Sequence, residues 1–170
     1  MTIADEIAAR FAWVDGHADV WRLFSDPLLF GRIASALADP FREAEIGVVC
    51  GIESRGFILG GAVARELDVG FAAIRKQAGL YPGPKIQLRT DTDYRGTRQV
   101  LRLQRQAVRA GDRVLLVDDW AWLPRSADLV SRCGGTSVGL ALVVDQLETH
   151  EGLPPVHALV DADDLGPSDL

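Results

Sequence analysis

The chain has 170 residues, of which 48% are hydrophobic and 25% charged, and its formal net charge at pH 7 is −6. These values are ordinary for a soluble globular protein, and the length predicts one domain with a sizeable core. The negative charge argues against nucleic-acid binding, no apolar run reaches membrane-spanning length, and residues 1–10 are too polar for a signal peptide. The sequence therefore predicts a cytoplasmic protein. Its few cysteines and histidines lack metal-ligand spacing.

The first half of the chain predicts two helices followed by a β–α–β unit. Residues 3–11 and 28–37 carry apolar side chains at helical spacing. Residues 46–50 and 69–74 are apolar runs of strand length, and residues 57–67 between them have a helical pattern. Because parallel strands need a crossover connection, the two strands are expected to lie parallel in one sheet.

The second half predicts a long loop and then further strands. Residues 75–93 are polar and rich in glycine and proline, which is typical of a long loop that acts as a lid. A helix is predicted over residues 126–132, with Gly134 at its end. Strands are predicted over residues 97–103, 114–117, 138–144 and 156–160. The alternation of strands and helices predicts an α/β fold with a mostly parallel sheet flanked by helices.

Two adjacent acids, Asp118 and Asp119, end the most informative of these strands. The carboxyl ends of parallel strands are where ligands bind in open α/β sheets. Successive strand residues point in opposite directions, so one acid can face a ligand while the other braces the loop. A phosphate ligand would then need a Gly- and Thr-rich turn at a helix N-terminus. Residues 120–126 instead read Trp-Ala-Trp-Leu-Pro-Arg-Ser.

Two other segments place cations at strand ends. Residues 51–56, Gly-Ile-Glu-Ser-Arg-Gly, put Ser54 and Arg55 at a helix start, where an anion would meet free N–H groups and a guanidinium. Arg75 and Lys76 end the next strand, and cations opposite an acid pair suit a polyanionic ligand held with a metal ion. Each segment also has a plain interpretation, as an ordinary strand-to-helix turn or as a solvated loop.

A third segment, Val20-Trp21-Arg22, precedes the main sheet. An aromatic ring beside a hydrogen-bond donor can cover a planar heterocycle and bind its edge. Taken alone, a tryptophan in this position is more often part of the core.

The order of the segments VWR, GIESRGFILG, IRK, LYPGPK, DYRG and VLLVDD resembles that of the type I phosphoribosyltransferases, and specifically of the adenine phosphoribosyltransferases. The resemblance covers about residues 20–144. It implies a single domain over residues 1–170 with a core sheet over residues 46–160. It also implies a small N-terminal hood over residues 1–45 and a mobile lid over residues 75–93.

The resemblance implies a role for each matching polar residue. The groups that bind the pyrophosphate of phosphoribosyl pyrophosphate (PRPP) would be Ser54, Arg55, Gly56, Arg75 and Lys76. Asp118 and Asp119 would act in catalysis by contacting the ribose hydroxyls and bound Mg²⁺.

The remaining implied residues concern the base and the lid. Val20, Trp21 and Arg22 would bind adenine. Asp93 matches the catalytic acid of the family's lid strand, where the family has Glu-Tyr-Gly; here Gly96 comes one place late.

The chain departs from the family after the acid pair. The family has Ala-Thr-Gly-Gly-Thr there, whose amides and hydroxyls wrap the 5-phosphate, whereas residues 122–126 here are Trp-Leu-Pro-Arg-Ser. Pro124 has no N–H to donate, and neither glycine remains where the backbone must turn tightly. Ser126 at the helix start and the guanidinium of Arg125 are the groups left to meet a phosphate.

Alternative functions follow from the resemblance and this departure. The first is transfer of the phosphoribosyl group from PRPP to adenine, giving AMP and pyrophosphate, by a weak or re-specialised enzyme. The second is a non-catalytic regulatory protein that binds a nucleotide or purine. Transfer involving a different sugar is a third. The family also implies a homodimer, and the arginine-rich residues 95–113 favour a second subunit as their counter-surface.

Overall fold

The secondary structure is given by a computed structural model that describes residues 1–15, 17–76, 81–90, 99–120 and 125–166. The helices in these residues are α1 Ile3–Arg10, α2 Trp21–Ser25, α3 Pro27–Ala38, α4 Arg55–Glu66 and α5 Ser126–Cys133. The strands are β1 Trp13–Val14, β2 His17–Ala18, β3 Val48–Ile52, β4 Gly70–Ile74, β5 Lys85–Arg89, β6 Val100–Gln104, β7 Arg113–Trp120, β8 Thr136–Asp145 and β9 Val156–Asp161. None of the described helices has both the length and the apolar character needed to cross a membrane.

The centre of the fold is a parallel sheet with strand order β4-β3-β7-β8-β9. This confirms the predicted α/β fold. The chain leaves β3 toward β4 on one side and leaves β7 toward β8 on the other, so the strand order reverses between β3 and β7. At such a switch point, the carboxyl ends of the strands form the ligand crevice of an open α/β sheet. The turn after β3 and the acids of β7 both lie there.

Alternate residues of the central strands enter two separate apolar cores. Val49, Leu115 and Val117 lie in the core that includes α3 and α4. Val48 and Leu116 lie in the core that includes α5 and the hairpin of β5 and β6. Because both faces of the sheet are covered, the strands are continuous apolar runs, and this pattern made them predictable.

The prediction of one long loop over residues 75–93 is wrong. Residues 85–89 form β5, which pairs antiparallel with β6. In this strand Leu88 is buried while its neighbours Gln87 and Arg89 are exposed, and the charged and amide side chains conceal that two-residue period in the sequence. Reciprocal backbone hydrogen bonds between Arg75 and Arg102, at 2.9 and 2.8 Å, join the hairpin to the end of β4. Residues 77–80 and 91–98 lie outside the described residues.

The strand that carries the acids is longer than predicted, because it continues through Trp120. The Trp120 ring stacks on Phe11, with 6.3 Å between centroids, and meets Trp13 edge-on at 5.8 Å. Its indole N–H donates to Gln146 Oε1 at 2.6 Å. Burial of this ring by the N-terminal segment keeps the residue after the acids in the sheet.

Candidate active site

Glycines bring the N-terminus of α4 directly onto the acid-bearing strand. A Cβ added to Gly56 would lie 2.8 Å from the carbonyl oxygen of Val117 and 3.0 Å from Asp118 Oδ1. A Cβ added to Gly51 would overlap the carbonyl of Gly56. These glycines therefore serve close packing of the helix on the sheet, which places the helix N-terminus beside the two carboxyl groups.

An ion pair joins the predicted anion-binding turn at the start of α4 to the predicted acid pair on β7. Arg55 Nε lies 2.8 Å from Asp119 Oδ2, with the carboxylate almost fully buried and the arginine side chain 32% exposed. Within the described residues, Asp119 Oδ2 accepts no hydrogen bond, since the guanidinium N–H is not directed at it. This oxygen therefore retains its capacity to bind a further partner.

Asp118 lies beneath α4 and beside Asp119. It is buried, and its Oδ1 accepts the backbone N–H of Asp119 at 2.9 Å. Burial raises the pKa of the Asp118 carboxyl well above its ordinary value, and the neighbouring Asp119 carboxyl raises it further. Lys76 acts in the opposite direction through its positive charge. A cation bound between the two carboxyl groups would relieve their repulsion.

The second pair of predicted anion-binding residues lies at the neighbouring strand end. The Arg75 guanidinium is 3.3 Å from Glu53 Oε1, and the backbone N–H of Lys76 donates to Glu53 Oε2 at 2.6 Å. The guanidinium also lies over the Tyr81 ring, 5.8 Å from its centroid. The Tyr81 hydroxyl donates to the carbonyl of Ala73 at 2.6 Å. The turn after β3 and the end of β4 thus form one connected structure.

Glu53 is the member of this structure that is missing from the predicted site residues. The parallel register pairs Ile52 with Ile74, so Glu53 and Arg75 are the next residues on adjacent strands. Opposite charges at equivalent positions of a β–α–β unit were a signal that could have identified this contact.

The predicted base-binding segment lies at the start of α2. Trp21 is 51% exposed and meets Phe24 edge-on, with 5.8 Å between ring centroids. The Nε–H of Arg22 donates to Asp19 Oδ2 at 2.8 Å. The Val20 side chain is fully buried in the core, so this residue has only backbone groups to offer a base. The ring of Trp21 remains accessible to a planar ligand.

The predicted remnant of the 5-phosphate site lies at the start of α5. Ser126 is buried, and its hydroxyl has no hydrogen-bond partner among the described residues. A buried hydroxyl at a helix N-terminus is suited to an anion. Arg125 Nε, however, lies 3.3 Å from Asp128 Oδ2, and Asp128 places a negative charge in the same turn. The predictions for residues 122–124 and for Asp93 concern positions outside the described residues.

The acid pair fits a magnesium ion that shares its ligands with a substrate. In the described part of the chain, no cluster of three or more His, Cys, Asp or Glu side chains could hold a metal on its own. Mg²⁺ is usually held by one or two carboxylates together with substrate phosphates. Asp118 and Asp119 offer such carboxylates, and Asp119 has a buried oxygen that accepts no hydrogen bond from the described residues.

Relatives of the chain share one activity name. A family model described as "Phosphoribosyl transferase domain" matches residues 21–153. An adenine phosphoribosyltransferase from Cereibacter sphaeroides is 40% identical over 131 residues, which cover 75% of this chain and 72% of that protein. Another from Jannaschia sp. is 36% identical over 157 residues, which cover 86% of both proteins.

Solved structures agree with these relatives. The crystal structure of adenine phosphoribosyltransferase from Rhodothermus marinus has a TM-score of 0.84 and 31% identity, and covers 94% of this chain and 98% of that one. The Saccharomyces cerevisiae enzyme, complexed with an imino-altritol bisphosphate and adenine, has a TM-score of 0.82 and 27% identity, with 92% and 98% covered. Family match, relatives and fold confirm the predicted resemblance. The chain therefore belongs to the phosphoribosyl transferase family.

Proposed function

We propose that this protein transfers the 5-phosphoribosyl group of PRPP to adenine and releases AMP and pyrophosphate. The observation that carries the proposal is the contact between Arg55 and Asp119 at the switch point of the sheet. It brings an anion-binding turn and a ribose-binding acid within one ligand's length of each other. The activity shared by the named relatives supports the same reaction.

The turn at α4 provides the pyrophosphate site in this proposal. Ser54 lies at the N-cap position of α4, but its side chain makes no hydrogen bond to the helix. The first N–H groups of the helix are therefore left for a ligand. The Arg55 guanidinium and the cations Arg75 and Lys76 balance the charge of the leaving pyrophosphate. The Gly56 N–H is part of the same helix start.

The acid pair provides the ribose and metal site. As the bond from the ribose C1 to pyrophosphate breaks, the electron pair leaves with pyrophosphate and C1 becomes positive. The carboxyl groups of Asp118 and Asp119, which a nearby positive charge would keep ionised, favour that charge and orient the ribose hydroxyls. They would also hold Mg²⁺ bound with PRPP or pyrophosphate, which supplies further neutralisation of the pyrophosphate charge.

The base site consists of the Val20–Trp21–Arg22 segment, and Asp93 is the catalytic acid that the family resemblance implies. The exposed ring of Trp21 covers adenine, and Arg22 binds its edge. A ring nitrogen of adenine then attacks C1 from the side opposite the pyrophosphate, and the proton of that nitrogen is released as the new bond forms. Residues Arg125 and Ser126 meet the 5-phosphate, with fewer donors than the family's own loop provides.

The test of this function is adenine-dependent release of pyrophosphate from PRPP in the presence of Mg²⁺, measured by a coupled assay. We expect release that requires both substrates. PRPP binding by calorimetry without any release would contradict transfer and favour the non-catalytic interpretation. Failure to bind PRPP at all would remove the proposed substrate.

Arg55→Ala is expected to weaken pyrophosphate binding by at least about tenfold, or roughly 1.4 kcal/mol. The change removes a guanidinium that can bind phosphate oxygens through two donors. Arg55→Lys keeps the charge but loses the two-donor geometry of the guanidinium, so its pyrophosphate affinity should lie between those of Arg55→Ala and wild type. Isothermal titration with Mg-pyrophosphate measures the effect. Equal affinity in a folded Arg55→Ala protein would contradict the assignment.

We also propose that the protein is a homodimer. Phe71 on the edge strand β4 is 40% exposed and Ile58 on α4 is 42% exposed, with Phe57 packed edge-on against Phe71. Exposed apolar side chains beside an open sheet edge favour burial against a second copy. Sedimentation at micromolar concentration is expected to give about twice the chain mass of 18.4 kDa. A mass near that of one chain would contradict the dimer.

A pair of variants locates the dimer surface. Ile58→Asp should shift the mass toward one chain, because it places a charge within the apolar surface. Leu28→Asp is the matched control, since Leu28 is 80% exposed at the start of α3.

A further inference from the structure

One carboxylate links the turn before α4 to the end of β4. Glu53 accepts the Lys76 backbone N–H at 2.6 Å and lies 3.3 Å from the Arg75 guanidinium. Its own backbone N–H donates to the carbonyl of Ile74 at 2.9 Å. The Glu53 side chain is only 18% exposed, so these contacts are made in partial isolation from water.

The position of this carboxylate needs a physical explanation. Glu53 directly precedes Ser54 and Arg55, which are proposed to bind pyrophosphate. A negative charge beside a bound polyanion opposes binding, so its charge alone would make the site weaker. Its contacts have the opposite effect, because they fix groups on the neighbouring strand before any ligand arrives. Preorganised groups lose less conformational freedom on binding.

Arg75 is well suited to being oriented in this way. Its backbone N–H and C=O both form hydrogen bonds with the backbone of Arg102 of β6, and its guanidinium lies over the Tyr81 ring. Glu53 adds the contact that ties this strand end to the turn at α4. The guanidinium and the Lys76 backbone are then held in a fixed relation to the helix N-terminus.

We propose that Glu53 is a positioning residue that aligns Arg75 and Lys76 with the turn of Ser54 and Arg55, so that cations from two strand ends bind one pyrophosphate. The inference rests on the proposed function, because pyrophosphate is its ligand. Removing the charge of Glu53 should weaken pyrophosphate binding if Glu53 positions these groups, and should strengthen it if Glu53 acts only by repulsion.

The test is the affinity of Mg-pyrophosphate for Glu53→Gln, measured by calorimetry. The amide keeps the shape and can still accept the Lys76 N–H, but it loses the charge paired with Arg75. Positioning predicts affinity at least about fivefold weaker, with KM for PRPP raised more than kcat is lowered. Simple removal of repulsion predicts tighter binding. Glu53→Ala, which loses both contacts, should weaken binding further.

The matched control is Glu66→Gln at the far end of α4. Glu66 also pairs with an arginine, Arg42, at 3.2 Å, so this variant removes the same charge and a similar contact. The helix is 12 residues long, which separates Glu66 from the turn by roughly 16 Å at about 1.5 Å per residue. Its pyrophosphate affinity should equal that of wild type. A loss equal to that of Glu53→Gln would indicate a general effect of charge and overturn the inference.

Two further outcomes separate the inference from the proposed function. Wild-type protein that binds no Mg-pyrophosphate would overturn both. Wild-type binding with equal or tighter binding by Glu53→Gln would overturn the positioning role alone. Hydrogen exchange of the Lys76 amide in the unliganded wild type does not depend on any variant folding. Slow exchange is expected from the 2.6 Å bond to Glu53, and exchange at the rate of an open loop would contradict the contact.

Discussion

Replacing residues 122–126 by Ala-Thr-Gly-Gly-Thr is expected to raise kcat/KM for PRPP by at least about a hundredfold, if each regained charge-assisted hydrogen bond adds about 1.5–3 kcal/mol. The present segment contains Pro124, which has no N–H, and bulky side chains where the family has small ones. Binding energy from the non-reacting phosphate positions the reacting carbon, so turnover should rise as well as affinity. Steady-state kinetics with adenine and PRPP measure both.

The design of this replacement must account for Asp128. Its partner Arg125 becomes glycine in the new loop, which leaves an acid in the first turn of α5 near the incoming phosphate. Adding Asp128→Asn should therefore raise activity further. The same loop combined with Asp119→Asn should show no such rise in activity, which controls for nonspecific effects of the loop. A wild-type kcat/KM already at about 10⁴ M⁻¹s⁻¹ or above would show that Arg125 and Ser126 compensate fully.

Asp118→Asn is expected to lower phosphoribosyl transfer by roughly 10²–10³, a typical loss when one electrostatic group of a transition state is removed. The same change should stabilise the fold at neutral and alkaline pH. The folded-state pKa of Asp118 is raised, chiefly by burial, so the protonated carboxyl is favoured in the folded protein. Its contribution to stability is complete below the unfolded pKa and is lost as pH rises through the folded one. Asparagine removes that loss and can still accept the Asp119 N–H.

Thermal unfolding at several pH values checks the sign of this effect. The Tm of Asp118→Asn should exceed that of wild type at high pH by a few degrees, at roughly 2–4 °C per kcal/mol, and the difference should vanish in acid. Asp119→Asn is the matched control, because it breaks the ion pair with Arg55 and should lower both activity and stability. A Tm difference that does not change with pH would contradict the role of the buried charge.

The sheet was predictable because its central strands are buried on both faces. Such strands contain apolar residues without polar ones between them, so they can be recognised in the sequence. The runs in question are Val114 to Val117 and those around Val48 and Val143. Strand β5 was not predictable by the same rule, since only Leu88 and its hairpin partners are covered. Its identity depends on pairing with residues that follow it by more than ten positions.

Much of the candidate site was also predictable, because its residues follow strands that meet at one edge. The sequence places Arg55, Arg75 and Asp119 after or at the end of three strands, and the switch point brings those ends together. Which of these residues contact each other depends on register and on close packing of α4. The opposite charges of Glu53 and Arg75 after two successive strands were a signal for their contact, and the register of the folded sheet sets its geometry.

The cluster of three aromatic rings around Trp120 of β7 has a consequence for which residues the folded domain needs. Phe11 and Trp13 cover Trp120, and the Trp13 indole donates to the carbonyl of Gly166 at 3.1 Å. The family match spans residues 21–153, so these partners come from both flanks of the region that holds the chemical groups. Residues from both flanks thus pack together against the end of the strand that carries the acids. A fragment trimmed to the matched region would keep Asp118 and Asp119 but would lose the aromatic contacts that hold their strand in place.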